Sequence, residues 1–273
     1  MSTPTWNNIE TELQDGVLRA WLNRPEKVNA LNHELWFELE ALARWADAES
    51  SVRVLVLGGR GRGFTAGIDF SLVLAITSEV ASLPDGQKQE VVRQKIVALQ
   101  GAFSAFEACR KPVIAAVHGT CWGAGIDLIT ACDIRYATGD ASLCIKEVDL
   151  AIVADIGTLQ RLPTIVGEGP TRELALTGRV FDGLEAKELG LVTQTFDSQE
   201  ALEAAALETA RVIASKSPLT IRGIKQVLNY SRDRSVEEGL DYVATWNASM
   251  LLSADAMEAV SAWMEKRPAV FSD

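Results

Sequence analysis

The chain has 273 residues, of which 48% are hydrophobic and 23% charged, and its formal net charge is −11. This composition supplies enough apolar material for a large packed core and argues against a disordered chain. The acidic excess argues against nucleic acid or an anionic membrane as a partner, although a local basic patch would still bind a small anionic ligand.

Targeting signals are not recognisable in the sequence. The N-terminal MSTPTWNNIETELQDG lacks the basic and apolar regions of a signal peptide, and the final AVFSD matches no address read at C-termini. No apolar run approaches the roughly 20 residues that a membrane helix needs. We therefore expect a cytoplasmic protein that does not enter a membrane.

Histidine and cysteine are sparse. The four cysteines (Cys109, Cys121, Cys132 and Cys144) are spaced by 12, 11 and 12 residues, which fits no zinc-binding pattern. They are expected to be reduced, buried thiols, and no metal site is predicted. Of the two histidines, His118 lies between a predicted strand and a Gly-rich turn, where support of the turn by a hydrogen bond is the expected role.

Predicted strands and helices alternate along the first two thirds of the chain. Asn32 is a candidate N-cap of a first helix, the residues from Val92 to Phe106 have helical spacing, and the segment from Ser71 to Gly86 is apolar but irregular. Asp182 begins a capping box. The segments predicted as strands are DGVLRAWLNRP, VRVLVLGG, PVIAAVHG, DIRYAT, SLCIKEV and LVTQTF.

The pattern becomes helical from Gln199 onward, with breaks near Pro218 and Asp233. An α/β core over residues 1–198 with a helical C-terminal region over residues 199–273 is predicted. No Gly/Ser-rich or Pro-rich linker separates the two regions.

An internal echo links two of the predicted strands. VRVLVLGGRGRGFTAGIDF and KPVIAAVHGTCWGAGIDLI share a plan in which an apolar strand leads through a Gly-rich turn to AGID, so that Ala66–Asp69 matches Ala124–Asp127. If the turns lie side by side, their unpaired N–H groups could converge on one oxygen atom. Two unrelated Gly-rich turns would give the same letters.

The segment GRGFTA, residues 61–66, also fits the dinucleotide pattern G-x-G-x-x-G/A after a strand. This permits a competing hypothesis, an NAD-dependent dehydrogenase. The hypothesis is weakened because no clean helix and no strand ending in an acidic residue follow at the required distance.

Three carboxylates lie within 29 residues of one another: Asp127, Glu147 and Asp155. Considered singly, Asp127 fits an early helical position, Glu147 a strand end and Asp155 a helix cap. The last two flank the apolar run from Leu150 to Ala154 in KEVDLAIVAD, and burial of that run would place unpaired acids in apolar surroundings at a cost. Their clustering near the second Gly-rich turn favours a chemical role.

Several motifs resemble the crotonase, or enoyl-CoA hydratase/isomerase, superfamily. They are RPEKVNAL, GRGRGFTAGIDF, KPVIAAVHGTCWGAGIDLITACDIRYA and EKRPAVF, and they extend over nearly the whole chain. Within the superfamily, the segment KEVDLAIVADIGTLQRLP and the three acids are most similar to the Δ3,5-Δ2,4-dienoyl-CoA isomerases. The hydratases carry glutamate at the position of Asp127 and no acid at that of Asp155.

The resemblance implies an α/β spiral of ββα units and a helical C-terminal region that mediates assembly into trimers or hexamers. It implies an isomerase that moves the double bonds of a 3,5-dienoyl-CoA to the 2,4 positions. Such dienoyl-CoA thioesters are intermediates of fatty acid β-oxidation. The backbone N–H groups of Ile68 and Ala124 would hold the thioester oxygen, and most relatives have glycine in place of Ala124. Glu147 and Asp155 would transfer protons, and Asp127 would tune them.

The same resemblance implies that coenzyme A, carried by the substrate, is bound by a channel and that no further cofactor is needed. Arg24, Lys27, Arg60 and Arg62 are the local basic candidates. The residues expected to line the channel are Lys27, Val28, Ala30, Phe64, Ala66, Gly67, Ile68 and Trp122.

Two alternatives remain open from the sequence. One is enoyl-CoA hydratase or another reaction on the same scaffold. The other is a non-catalytic acyl-CoA-binding or scaffold protein, since a fold does not imply a function.

Overall fold

The structure is a computed structural model that describes residues 3–271; residues 1–2 and 272–273, the outer ends of the two predicted regions, lie outside it. The strands are β1 (Ile9–Gln14), β2 (Val17–Leu22), β3 (Val54–Gly59), β4 (Gly63–Thr65), β5 (Val113–Val117), β6 (Thr120–Trp122), β7 (Ile134–Thr138), β8 (Ser142–Cys144), β9 (Phe181–Asp182) and β10 (Gln194–Phe196). The α-helices are α1 (His33–Ala48), α2 (Phe70–Val80), α3 (Asp85–Ala108), α4 (Ala124–Thr130), α5 (Thr158–Val166), α6 (Glu168–Thr177), α7 (Gly183–Glu188), α8 (Gln199–Ala214), α9 (Pro218–Ser231), α10 (Val236–Met250) and α11 (Ala254–Glu265). Short 3-10 helices cover Pro25–Lys27 and Glu147–Leu150.

The strands form two sheets that the chain visits alternately. The larger sheet has the order β1-β2-β3-β5-β7-β10 and the smaller one β4-β6-β8-β9. Three times in succession, a strand of the large sheet is followed within a few residues by a strand of the small sheet: β3 then β4, β5 then β6, and β7 then β8. Helices separate these pairs, so the predicted α/β spiral of ββα units is confirmed.

The core lies on both faces of the large sheet because its central strands are apolar at every position. On one face, Leu55 and Ala115 pack with α1, α3 and α4 around the fully buried Trp36 and Phe103. On the other face, Val56 and the parallel strands beside it pack against α8. Helix α8 therefore covers the core sheet, although it belongs to the predicted C-terminal region.

Local sequence signals located several element boundaries correctly. The side chain of Asn32 accepts a hydrogen bond from the N–H of Leu35 at 2.9 Å and so caps α1, as predicted. The side chain of Asp182 caps α7 in the same way. The breaks near Pro218 and Asp233 separate α8 from α9 and α9 from α10.

Other local predictions were wrong. The segment from Ser71 to Gly86 contains a helix, α2, that Asp69 caps by accepting the N–H of Ser71. Apolar side chains lie on both faces of this helix, since Leu72 is buried while Leu74 is exposed, and periodicity therefore missed it. SLCIKEV does not stay extended to its end: β8 stops at Cys144, and Glu147 opens a 3-10 helix.

The dinucleotide-binding hypothesis does not agree with the fold. The motif requires a Gly-rich turn that opens directly into a helix. Here GRGFTA, residues 61–66, turns at Gly61 and enters strand β4, whose residues are buried.

Candidate active site

The cavity that contains the predicted acids has a volume of about 320 Å³ and mostly apolar walls. It lies where the turns after β4 and β6 meet the 3-10 helix at Glu147–Leu150. All three acids and both predicted oxyanion residues contribute to it. The lining residues are Trp36, Ala66, Gly67, Ile68, Phe70, Trp122, Gly123, Ala124, Asp127, Lys146, Glu147, Leu150, Ile152, Asp155 and Ile156.

The internal echo brings the two Gly-rich turns together. Strands β4 and β6 are parallel neighbours, with Thr65 opposite Cys121, so their carboxyl ends reach the same edge of the small sheet. A Cβ added to Gly67 would lie 2.7 Å from the carbonyl oxygen of Trp122 and 3.5 Å from the nitrogen of Ala124. Gly67 also has φ of +90°, so both the close approach and the backbone conformation require glycine there.

The backbone N–H groups of Ile68 and Ala124 are free to bind a ligand. Within residues 3–271, neither group donates a hydrogen bond to a protein acceptor. Ala124 does not have positive φ, so alanine replaces glycine at this position without backbone strain. Two unpaired donors at the edge of one cavity suit an oxygen atom that gains negative charge.

Asp127 is the most deeply buried of the three acids, at 1% exposure. It lies in the first turn of α4, and its Oδ1 accepts the N–H of Thr158 at 2.6 Å. Burial raises the pKa of Asp127 to about 6, assisted by the charge of Asp155 and opposed by Thr158 and Arg161. The side chain is therefore held in one place and is easily protonated.

Glu147 is half-buried, and its Oε2 has no hydrogen-bond partner among residues 3–271. Its Oε1 lies 3.2 Å from the position that a Cβ on Gly123 would occupy, next to the free N–H of Ala124. Burial, followed by the charges of Asp127 and Asp155, raises the pKa of Glu147 to about 7. A carboxyl group with this pKa can give up or accept a proton near neutral pH.

Asp155 is also half-buried, and burial raises its pKa. The charge of Asp155 in turn raises the pKa of both other acids, so the three carboxyl groups influence one another's ionisation. It does not cap α5, because Gly157 occupies the N-cap position.

The residues predicted to line a coenzyme A channel do not all face the cavity. Ala66, Gly67, Ile68 and Trp122 line the cavity. Val28 and Ala30 are partly exposed just outside it, where the carbonyl of Val28 accepts the N–H of Ala66 at 2.8 Å. The side chain of Phe64 is fully buried in the core, so its predicted place on the channel surface is wrong: residue 64 faces inward from β4.

The four basic candidates also differ. Arg24 pairs with Asp69 at 3.1 Å, and Arg60 pairs with Glu10 at 2.5 Å and stacks on Trp21. Lys27 and Arg62 are exposed and, within the described part of the chain, form no ion pair. These two remain available to an anionic ligand.

The apolar run from Leu150 to Ala154 is not buried as expected. Ile152 is 45% and Val153 71% exposed, and only Ala154 is fully inside. Leu150 and Ile152 instead form part of the cavity wall. Part of the run therefore faces the cavity and not the core.

Sequence reasoning missed other parts of the wall. Trp36 enters the cavity from α1, Phe70 from α2 and Lys146 from the turn before Glu147. Trp36 fits the helical periodicity of α1, and no pattern distinguishes it from an ordinary core residue. His118 accepts or donates a hydrogen bond with the carbonyl of Gly61 at 2.9 Å and supports the turn, as predicted.

Comparison with known proteins agrees with this architecture. A sequence profile described as enoyl-CoA hydratase/isomerase matches residues 12–273. The chain belongs to the enoyl-CoA hydratase/isomerase family. The family resemblance drawn from the motifs is therefore confirmed.

Individual members of the enoyl-CoA hydratase/isomerase family resemble the chain over nearly its whole length. A protein of Arabidopsis thaliana named Delta(3,5)-Delta(2,4)-dienoyl-CoA isomerase, peroxisomal, is 49% identical over 99% of this chain and 98% of its own. A Mus musculus protein named as the mitochondrial form is 45% identical over 94% of this chain and 79% of its own. The crystal structure of enoyl-CoA hydratase from Bacillus anthracis has a TM-score of 0.87 at 32% identity, covering 97% and 99% of the two chains.

These family members correct the predicted location. A cytoplasmic protein was expected, but the relatives from Arabidopsis thaliana and Mus musculus are named peroxisomal and mitochondrial, and the expectation is wrong. It rested on the lack of a recognisable targeting signal and of a long apolar run, whereas an address is read by a receptor and does not follow from the properties of a folded domain. No helix in residues 3–271 is both long and apolar enough to span a bilayer.

Proposed function

We propose that the protein is a Δ3,5-Δ2,4-dienoyl-CoA isomerase. The observation that carries this proposal is the presence of three carboxylates in one apolar cavity with two unpaired backbone N–H groups. Moving two conjugated double bonds by one position each requires removal of a proton from carbon 2 and addition of one to carbon 6. A single acid cannot serve both carbons easily, since they are four bonds apart.

The thioester oxygen would accept hydrogen bonds from the N–H groups of Ile68 and Ala124. When the proton leaves carbon 2, the electron pair moves through the conjugated chain and negative charge gathers on this oxygen. Removal of one donor from such a pair typically costs about 3 kcal/mol of transition-state stabilisation. The free N–H groups and the tight approach at Gly67 support this role.

Asp155 would take the proton from carbon 2, and Glu147 would donate one to carbon 6. The base must be ionised and the acid protonated in the same enzyme molecule. The pKa of Glu147 is raised to about 7, so this carboxyl keeps its proton up to near neutral pH, and an ionised Asp155 favours the protonated form because its charge raises that pKa. The dienolate collapses to the 2,4-diene when carbon 6 is protonated, and a proton moved from Asp155 to Glu147 restores the enzyme.

Asp127 would act on the two acids and not on the substrate. It is fixed by the N–H of Thr158, and its charge raises the pKa of Glu147. We therefore assign it to keeping Glu147 protonated at neutral pH.

Coenzyme A would lie along residues 27–30 and 66–68, with Lys27 and Arg62 near its phosphates. Trp122 would wall the acyl chain, held by a 3.1 Å hydrogen bond from its Nε1 to Ser142 Oγ. Because only protons move, the proposed reaction needs no cofactor beyond the coenzyme A of the substrate.

We also propose that the protein assembles into trimers or hexamers through its C-terminal region, residues 199–273, around a core formed by residues 1–198. Large apolar side chains on α10 and α11 support this proposal, with Leu240 62% and Trp263 81% exposed. Light scattering of the purified protein tests it: a monomer at micromolar concentration contradicts the proposal.

The proposed activity is tested by incubating the protein with a 3,5-dienoyl-CoA and, separately, with crotonyl-CoA. Conversion of the diene to the 2,4 isomer is followed by the ultraviolet absorption of the newly conjugated thioester. We expect fast isomerisation and little hydration. Rapid hydration of crotonyl-CoA with no diene shift would favour the hydratase alternative, and binding of both without turnover would favour a non-catalytic protein.

A further inference from the structure

The loop that carries Asp155 is fastened to α3 by a stripe of polar side chains. Gln100, Ser104 and Glu107 are spaced by four and three residues, so they share one face of the helix. Gln100 donates to the carbonyl oxygen of Asp155 at 2.6 Å, and the other two accept from Arg161. Because Leu99, Phe103 and Phe106 anchor the adjacent face of α3 in the core, this stripe has a fixed position.

Arg161 is the centre of these contacts. It lies in the first turn of α5 and is only 9% exposed. Its guanidinium donates to Glu107 at 3.0 Å, to Ser104 at 3.1 Å and to the carbonyl of Ile156 at 3.3 Å. It therefore connects α3 to the residue that follows Asp155.

The loop is built around the guanidinium. Gly157 has φ of +135°, and a Cβ at that position would lie 1.8 Å from Nη1 of Arg161. The next residue, Thr158, donates the N–H that holds Asp127. One arginine thus fixes the path of residues 155–158, which carry one predicted proton-transfer group and the hydrogen-bond donor to another acid.

The charge of Arg161 remains balanced on its outer side. Burial alone would raise the pKa of Glu107, but the guanidiniums of Arg161 and Arg232 lower it by more, so this carboxyl stays ionised. Arg232 contacts Glu107 from the solvent side, at 42% exposure, and makes no hydrogen bond or ion pair with residues 155–158 within the described chain.

We propose that Arg161, supported by Gln100, is a positioning residue that sets the geometry of Asp155 and the environment of Asp127 for proton transfer. The predicted effect on kcat rests on the proposed function, whereas the predicted effect on the titration of Asp127 does not. Neither side chain lines the cavity, so both act through the loop and not on the substrate.

The first test compares turnover in Arg161→Gln, Arg161→Lys and Gln100→Ala with the wild type. Because displacement of a catalytic group by about 1 Å can cost on the order of 100-fold, we expect kcat to fall roughly 10- to 100-fold in Arg161→Gln, and less in Gln100→Ala, with KM within about twofold. Arg161→Lys keeps the charge but loses the planar fork, so kcat should stay low. Matched controls are Arg232→Gln, on the same Glu107, and Gln94→Ala, exposed on the same helix; both should keep wild-type kcat.

The second test does not depend on the substrate. The charged groups facing Asp127 are Glu147, Asp155 and Arg161, and removal of Arg161 takes away the one that lowers its pKa. Carbon-13 NMR of labelled aspartate should therefore show Asp127 titrating at higher pH in Arg161→Gln and at nearly the wild-type pH in Arg161→Lys and Arg232→Gln.

These results distinguish positioning from general support of the fold. A folded Arg161→Gln protein with wild-type kcat and an unmoved Asp127 titration overturns the proposal. If that variant does not fold, Gln100→Ala decides: unchanged kcat per folded molecule also overturns it. If the wild type itself does not isomerise dienoyl-CoA, the proposed function fails, and the Asp127 titration alone decides this inference.

Discussion

Replacement of Asp127 by asparagine should stabilise the protein at neutral pH. The side chain is 1% exposed and accepts one hydrogen bond, from the N–H of Thr158 at 2.6 Å. The amide oxygen of asparagine can accept the same bond, so Asp127→Asn keeps the shape and the contact while it removes the charge. The variant therefore isolates the cost of an ionised carboxyl in this position.

The size of the effect follows from the pKa. Burial and the charge of Asp155 raise the pKa of Asp127 from 3.8 to about 6, despite the opposing effects of Thr158 and Arg161. Each unit corresponds to 1.36 kcal/mol, so ionisation of the folded protein costs about 3 kcal/mol. Since the folded pKa is the higher one, wild-type stability is full below pH 3.8 and is lost as the pH rises through about 6.

The measurement is urea unfolding of both proteins at a fixed protomer concentration and a series of pH values. Subtracting the two free energies of unfolding cancels the titrations that they share. We expect the free energy of unfolding of Asp127→Asn, minus that of the wild type, to increase by about 3 kcal/mol between low and neutral pH. The control is Asp149→Asn, which replaces an exposed acid paired with Lys146. Its free energy of unfolding should show no such increase relative to the wild type. A difference that is constant with pH, or one that favours the wild type as pH rises, would refute this reasoning.

Three further predictions concern activity. Glu147→Gln and Asp155→Asn should each lower kcat by orders of magnitude while the circular dichroism spectrum stays native. Asp127→Asn should lower kcat less. A near-normal kcat in either of the first two variants removes that residue from the mechanism. The value of kcat/KM should fall as the pH rises through about 7, where Glu147 loses the proton it donates, and should fall again in acid as Asp155 is protonated; a rate that rises through pH 7 contradicts these roles. Gly67→Ala should lower kcat roughly 10-fold or more because its Cβ would meet the carbonyl of Trp122. The control Gly86→Ala, with open space around residue 86, should leave kcat unchanged. Equal activities would show that the two turns can move apart without loss of catalysis.

The parts of the fold that local chemistry specifies were readable from the sequence. The N-cap at Asn32 and the apolar strands were predicted correctly. The echo of Ala66–Asp69 in Ala124–Asp127 was a real repeat, because β4 and β6 are parallel neighbours. Its two aspartates nevertheless have different roles: Asp69 caps α2 and pairs with Arg24, while Asp127 faces the cavity.

The features that sequence reasoning missed depend on contacts between distant residues. Helix α2 has no apolar stripe to reveal it, and the exposure of Ile152 depends on what the loop surrounds. The hydrogen bond from Gln100 to Asp155 joins residues 55 positions apart, and neither residue type indicates such a pairing. Phe64 was misplaced because the resemblance assigned residue 64 to the channel together with residues 66–68, whereas its side chain points from β4 into the core.

Deuterium labelling during partial turnover in heavy water tests most directly whether Asp155 acts at carbon 2 and Glu147 at carbon 6. Glu147→Gln should still let Asp155 remove the proton from carbon 2, so recovered 3,5-dienoyl-CoA should carry deuterium at carbon 2 while little product forms. Asp155→Asn should leave recovered substrate unlabelled, and wild-type product should carry deuterium at carbon 6. Label at carbon 2 with Asp155→Asn but not with Glu147→Gln would contradict the account.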